Sequence, residues 1–486
     1  MGVKKNFGYN LILTFCNYLF PLITYPYVSR VLGVTKIGVC NFVDSVVNYF
    51  ILFSTLGIVS YGIREIARCG DSKEHRDEVF TNLFLTNIIL VVPALIVLYL
   101  CTYYVPQLQP YTAFWGVGAM KILFNVFLIE WFFQGIERFK YITISSVVIR
   151  FFYVIAVLLL VREEDDVLMY YFLTSFIVVV NAIVNWTYSK RFAKLSFKHL
   201  SLMRYLVPIL IFGYYRILTS MYTTFNVTFL GFSSGNDEVG YFSTATKLYG
   251  MLLGVFTAFT TVMVPRVSNL LSQKDYPQLQ KIADTTFEML FILGIPLVVF
   301  CIFYAPEIIE IIAGKGYEGA ILPFQIIIFL LLVVGMEQIV IQQFLMASTS
   351  NKSIIILSSV GAAVGISMNF LITPTYGAIG SSISWCLSEI SVLITGVILM
   401  RKHVHITIKT SPLVKITLMG LAYIPVNYSM VFFLPSLLGM VATIVLSIAV
   451  FIILNLCLLK NQLLLSLIDN LRDLPQNFRK SRIGKK

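Results

Sequence analysis

The sequence predicts an all-α integral membrane protein of about fourteen transmembrane helices: two six-helix lobes in parallel pseudo-repeat, two further C-terminal helices, and both termini cytoplasmic. Three observations predict it. Cutting the 486-residue chain at its polar breaks leaves fourteen apolar stretches, each about 20 residues or longer and so able to cross a bilayer as a helix. Of the 36 Lys and Arg residues, 28 fall in every second gap between those stretches, and the positive-inside rule assigns such gaps, both termini among them, to the cytoplasm. Charged residues make up only 12% of the chain and hydrophobic residues 58%, against about 25% charged in a soluble domain.

The spans read, in order, as 7–30, 37–63, 79–104, 111–136, 141–161, 167–188, 203–231, 238–264, 283–304, 320–345, 353–373, 376–400, 411–432 and 435–459. The N-terminal apolar region is too long for a cleavable signal, so it counts as an uncleaved first span. The widest internal basic gap follows the sixth span and sets the seam. This gives a first lobe over 1–190, a second over 191–405, two appended spans over 406–460 and a basic amphipathic cytoplasmic tail over 461–486. A weak internal repeat supports the seam. RVLGVTKIGVCNFVDSVVNYF and TFLGFSSGNDEVGYFSTATKLYG share an LG, a short polar gap and a helix whose first charge is Asp44 in one and Lys247 in the other. ISSVVIR in span 5 echoes LSSVGAA in span 11. The partners keep one orientation, and in such parallel repeats binding sites lie near the midplane between the halves.

The net charge of +12 sits in short gaps on one side, which suits anionic inner-leaflet lipid rather than nucleic acid. The seven Cys contain no CxxC pair, so neither a disulfide framework nor a metal centre is expected. The outward gaps are too short to hold a catalytic domain, and no enzymatic residue set is expected.

Polar residues at helical spacing mark several spans. Asn17 belongs to such a line in span 1, Asn41, Asp44 and Asn48 to one in span 2, Lys247 and Thr257 to one in span 8, and Asn369 to one in span 11. Positions three and four apart share a face, so each line either packs against another helix or lines a cavity. Asn17, Asn41, Asn48, Asn125, Thr257 and Asn369 are the candidate polar lining. Charges inside spans are sharper, because each costs about 2.5–3.5 kcal/mol at the bilayer centre unless it faces a partner or water. Lys121, Arg150, Arg216 and Lys247 would ring a cavity between the lobes with positive charge. Asp44 and Lys247, at equivalent repeat positions, are placed to face each other across the seam. Glu130, nine residues beyond Lys121, should lie on the opposite face of span 4 and about 13 Å further along it. Asp44 and Glu130 are therefore the candidates for a gate or an ion-coupling group. Glu288 and Glu389 lie near enough to span ends to be interfacial, and Tyr214 and Tyr215 beside Arg216 read first as interfacial belt or packing and second as a surface on which a sugar could stack.

Five stretches carry a resemblance: PLITYPYVSRVLGVTKIGVCNFVDS from Pro21, YGIREIAR from Tyr61, VGYFSTATKLYG from Val239, PRVS from Pro265 and TPTYGAIGSSIS from Thr373. Together they resemble the Wzx-type O-antigen and polysaccharide flippases of the multidrug/oligosaccharidyl-lipid/polysaccharide exporter superfamily, from span 1 to span 12. The resemblance implies the fourteen-helix fold, the bacterial inner membrane, and movement of undecaprenyl-diphosphate-linked oligosaccharides through a cationic cavity by alternating access. It implies membrane lipids and other polysaccharide-assembly proteins as partners, no cofactor, and a proton or sodium gradient as the possible drive. A lipid II flippase or a cation-coupled multidrug antiporter of the same fold is the alternative. The antiporter should carry carboxylates in span 1, and span 1 has none.

Overall fold

The structure, a computed structural model, describes residues 3–433 except 199, 347–350, 404, 405, 408 and 421, and scattered positions between 439 and 450. The tail 461–486 and most of the fourteenth span lie outside the described residues. Among the described residues there are helices and connecting turns and no strand. Nine helical segments are long and apolar enough to cross a membrane. Two of them, Ile12–Arg68 and Lys352–Lys402, have 57 and 51 residues, enough for two crossings each.

Glycine explains those double lengths. In α1 (Val3–Thr55) the helical path breaks only at Gly33, with φ 71 and ψ 173, a conformation that costs an L-residue about 1–2 kcal/mol and glycine nothing comparable. The gap expected between spans 1 and 2 therefore shrinks to a single turn. α1 ends at Leu56 and Gly57, and α2 (Ile58–Arg68) carries the chain on. α3 (Lys73–Tyr104) starts at Ser72, whose side chain accepts from the His75 backbone N–H, the usual satisfaction of an orphan donor.

Span 4 departs from expectation. It divides into α4 (Thr112–Asn125) and α5 (Glu130–Gly135), separated by Ile129 at φ 25. The opposite-face geometry expected for Lys121 and Glu130 assumed one continuous helix and does not hold. α6 (Phe139–Leu160) and α7 (Val167–Ser189) complete the first half.

The second half opens with α8 (Leu202–Thr223) and α9 (Phe225–Ser233), then turns at Gly235, φ 94, into α10 (Asn236–Ser272). α11 (Tyr276–Phe303) is capped by Asp275, and α12 (Ala305–Ile312) follows. The tenth span divides into α13 (Ile321–Ile327), α14 (Leu330–Glu337) and a π-helical stretch, Gln338–Leu345. α15 (Asn351–His403) breaks only at Gly377, φ 53. α16 (Thr410–Gly420) and α17 (Tyr423–Phe433) end the described chain.

α1 and α10 form the central contact between the halves, and small residues permit it. A Cβ on Gly38 would stand 1.8 Å from the Asn236 carbonyl oxygen, and one on Gly240 would stand 2.5 Å from that of Val34. Around these glycines Thr35 donates to Asp237 at 2.5 Å, Tyr111 and Asn236 bond at 2.9 Å, and Phe42 meets Tyr111 and Phe232 edge-on. A second contact forms where α1 gives way to α2. There a Cβ on Gly57 would lie 2.4 Å from the Ile209 oxygen of α8, and Tyr61 packs against Tyr205 and Phe212. The outward surface is studded with exposed Ile, Leu, Val and Phe, the surface a bilayer solvates.

Candidate functional site

Between those two contacts α1 and α8 part to leave a polar cavity of about 430 Å³, lined by Asn48, Tyr49, Ile51, Leu52, Thr55, Tyr215, Arg216, Thr219, Ser220, Thr223 and Thr224. Helical spacing builds each wall. Asn48, Leu52 and Thr55 share one face of α1, while Arg216, Thr219, Ser220 and Thr223 share one face of α8. Tyr49 ties the walls together by donating its hydroxyl to the Ser220 carbonyl oxygen at 3.2 Å. Several hydroxyls are turned inward on their own backbones: Thr55 donates to Ile51, Thr219 to Tyr215 and Thr223 to Thr219. Thr219 also meets the Ser358 hydroxyl of α15 at 3.4 Å.

Arg216 is the one charge on this lining. Among the described residues no carboxylate forms an ion pair with it. A guanidinium inside a membrane span, without an anion and facing a polar cavity, is a ready receptor for phosphate or carboxylate.

The other three cations are engaged locally. Lys121 of α4 reaches the Asp44 carboxylate at 2.5 Å, and Asn48 bridges the pair, donating to Asp44 at 3.1 Å and accepting from Lys121 at 3.5 Å. Asp44 takes its ion pair within its own half of the chain, from Lys121, while Lys247 stands across the seam within its electrostatic reach. Lys247 sits over the Tyr25 ring, 4.5 Å from its centroid. Tyr25 in turn bonds Thr244 at 2.6 Å, so this cation–π contact joins α1 and α10. Arg150 donates to the Asn17 side-chain oxygen, and Glu130 lies within its electrostatic reach. Through Asn48 the Asp44–Lys121 pair adjoins the Arg216 cavity; Lys247 lies within electrostatic reach of Asp44, and Arg150 forms a separate cluster.

The expected polar lining divides in the same way. Asn48 lines the cavity, and Asn17 is exposed beside Arg150. Asn41 turns its amide back to the Ile37 oxygen at 2.8 Å. Asn125 is half-buried at the C-terminal end of α4. Thr257 accepts from Gln338 at 2.9 Å, a contact between α10 and the π-helical stretch. Asn369 is fully buried, donating to Asn226 at 2.6 Å and to the Gly365 oxygen at 2.8 Å while accepting from Thr373. It is a packing residue, and its place in the cavity lining is withdrawn.

The span-7 line of Arg216, Thr219, Ser220 and Thr223 was legible as a polar face, whereas Tyr49, Thr55 and Thr224 escaped the sequence reading. Thr55 was findable, lying seven residues after Asn48 on the same helical face. Tyr215 reaches the cavity, whereas Tyr214 is 51% exposed on the outer surface. Glu389, expected at an interface, is 5% exposed and sits mid-helix in α15, well away from both the Gly377 break and His403.

Comparison with known proteins now bears on this geometry. Residues 3–271 match the family described as polysaccharide biosynthesis protein. A candidate O-antigen transporter of Escherichia coli (strain K12) is 24% identical over 417 residues, covering 82% of this chain and 96% of that protein. Among solved structures, the lipid II flippase MurJ in an inward closed conformation superposes with a TM-score of 0.76 at 14% identity, over 91% of this chain and 96% of that one. An inward-facing MATE-family multidrug resistance transporter of the MOP superfamily gives 0.60 at 18% identity, over 79% and 93%. The relatives are transporters rather than enzymes, the solved structures share the fold, and the resemblance to the Wzx-type flippases stands. With more than half of its length matched, the chain belongs to the polysaccharide biosynthesis protein family and is a multi-pass membrane protein.

Proposed function

We propose that the chain is a flippase of the bacterial inner membrane that carries undecaprenyl-diphosphate-linked oligosaccharides from the cytoplasmic to the outer leaflet. The observation that carries this reading is the Arg216 cavity, polar on both walls and holding a cation with no ion-pairing carboxylate among the described residues. A diphosphate carries about two negative charges that hydrocarbon cannot solvate. Arg216 supplies the fork for it, and Lys121, already at the cavity edge through Asn48, supplies a second charge. The hydroxyls of Thr55, Thr219, Thr223 and Tyr215 meet the first sugars. The lipid tail stays in the bilayer, entering between spans 1 and 8.

Fourteen spans, cytoplasmic termini and two lobes over 1–190 and 191–405 complete the proposal. In that orientation the Gly33 and Gly235 turns face outward, so the α1–α10 contact closes the outer side and rocking of the lobes opens it. Arg150 then holds helices of the first lobe in place, Lys247 ties α1 to α10 across the lobes, and both serve the ligand only as distant positive potential. The drive is an ion gradient. Asp44 is committed to Lys121, so it is a weaker coupling group than the unpaired carboxyls considered below.

The test is complementation of a flippase-deleted strain that supplies the matching glycan pathway, with membrane expression measured for every variant. Restored surface polysaccharide with the parent and its loss in well-expressed Arg216→Ala support the reading. Full activity of Arg216→Ala removes the cationic-cavity mechanism. Failure of the parent itself redirects the assignment to another exporter of this fold.

A further inference from the structure

Two carboxyl groups that the proposed transport mechanism leaves unused meet inside the second half of the chain. Glu337 ends α14 and Glu389 lies mid-way along α15; they are 9% and 5% exposed, and their side chains are within hydrogen-bond reach of one another. Trp385, one turn from Glu389, donates its indole N–H to Glu389 Oε1 at 2.8 Å. Among the described residues no Lys or Arg forms an ion pair with either carboxyl. The titratable groups facing them are Tyr222 from α8 and Cys386 from α15 itself. From α10, the neutral Thr257 and Thr260 meet the adjoining Gln338 and Gln343.

Two further observations mark this place as more than helix packing. Glu337 Oε1, Gln338 Oε1 and Gln343 Oε1 are each buried without a hydrogen-bond partner, three acceptors within seven residues that each lack a donor. The backbone also leaves α-helical geometry immediately after Glu337, running as a π-helix over Gln338–Leu345, a distortion that concentrates at functional positions.

Two carboxylates in contact, away from water and without a cation, cannot both stay ionised; one proton shared between them removes the repulsion. We propose that Glu337 and Glu389 form a proton-carrying acid pair, a site distinct from the Arg216 cavity, whose loading and unloading accompanies transport. The coupling route is short. Tyr222, 8% exposed, faces the pair from α8 and is hydrogen-bonded to Thr219 of the cavity lining, one turn from Arg216. Ionising the pair therefore presses on the helix that carries the ligand's cation. The link to transport rests on the flippase reading; the shared proton does not.

Infrared difference spectroscopy on the purified full-length protein in lipid nanodiscs, titrated over pH, tests the proton site directly. The expected result is one band of a protonated carboxylic acid that titrates in the parent. It is lost in Glu337→Gln and in Glu389→Gln alike, and retained in Glu130→Gln. Trp385→Phe removes a donor to the charged form without touching either carboxyl, and it should move the midpoint upward by about one pH unit. It also covers the case in which the Gln variants fail to fold. A titrating band that survives in both Gln variants, or an unchanged midpoint in a folded Trp385→Phe, overturns the proposal. In the complemented strain, folded Glu337→Gln should export less than a tenth of the parent's polysaccharide; full export with the band lost would leave the proton site and overturn its coupling. Failure of the parent to complement, with the band present, would instead refute the flippase reading.

Discussion

Lys121→Ala should be worse tolerated than Lys121→Ala combined with Asp44→Asn. In the parent the ammonium and carboxylate stand 2.5 Å apart, with side chains 14% and 35% exposed. Two unit charges about 4 Å apart attract by about 4 kcal/mol at an effective dielectric of 20. The exposure of Asp44 admits screening that takes about half of this, so the expected coupling is about 2 kcal/mol. Removing the lysine alone also leaves a carboxylate inside the membrane, which is why breaking one side of such a pair costs more than deleting both. The assay is a double-mutant cycle on the purified protein, unfolded by a denaturing detergent in mixed micelles, with polysaccharide export measured in parallel. Additive single effects, with coupling below about 0.5 kcal/mol, would refute the pairing. Export separates two roles of Lys121. Recovery of stability without recovery of export assigns it to the ligand as well as to Asp44.

Arg216→Ala should lower export by at least about tenfold with expression unchanged, since a charge-assisted hydrogen bond contributes about 1.5–3 kcal/mol; Arg216→Lys should recover part of it, keeping the charge and losing the fork. Gly38→Ala places a methyl 1.8 Å from the Asn236 oxygen, where backbone cannot yield, so α1 and α10 should part. A cysteine introduced at Thr35 should then label faster with a membrane-impermeant thiol reagent than in the parent, and equal labelling would count against the contact. The Asp166 carboxylate accepts from the Arg162 and Glu163 backbone N–H groups at 2.8 and 3.0 Å, which holds its carboxyl below the usual range. This stabilisation is complete above the ordinary carboxylate value of about 4 and is lost as pH falls through the lowered value. Amide exchange at the start of α7 should accelerate on acidification in the parent and be fast and pH-insensitive (beyond intrinsic chemistry) in Asp166→Asn.

The fold was legible because bilayer length and charge asymmetry are global constraints that a single sequence carries. What the sequence hid is where helices break. Ile129 interrupts span 4 at a positive φ that no residue type announces, and past that break Glu130 lies within electrostatic reach of Arg150. Gly33 carries the turn that was read as a longer polar gap, and Gly377 puts the break between spans 11 and 12 just past the two-residue gap expected there. The cations were found by type, since a Lys or Arg inside a span is conspicuous; their partners were not, because pairing depends on packing between helices distant in sequence. Lys121 to Asp44 crosses 77 positions and Arg150 to Asn17 crosses 133. Asn369 misled for the same reason: an asparagine on a polar stripe reads alike whether it faces a cavity or Asn226. Glu389 was discounted by its distance from a guessed span end, and burial overrode that guess.

Those pairings recast the cationic ring as a graded site. Four bare cations would each cost about 2.5–3.5 kcal/mol at the membrane centre, a sum comparable to the whole stability of an ordinary domain. The fold avoids it by giving Lys121 a carboxylate, Arg150 an amide oxygen with Glu130 nearby, and Lys247 an aromatic face, leaving Arg216 as the one cavity cation without an anion among the described residues. An anionic ligand thus meets one ready anchor and one that must first be drawn from Asp44. The second engagement gives up the about 2 kcal/mol of the Asp44 contact, roughly a thirtyfold weakening of binding relative to two free cations. A carrier has to let go on the far side, and a site with a single unopposed charge releases where a full ring would hold.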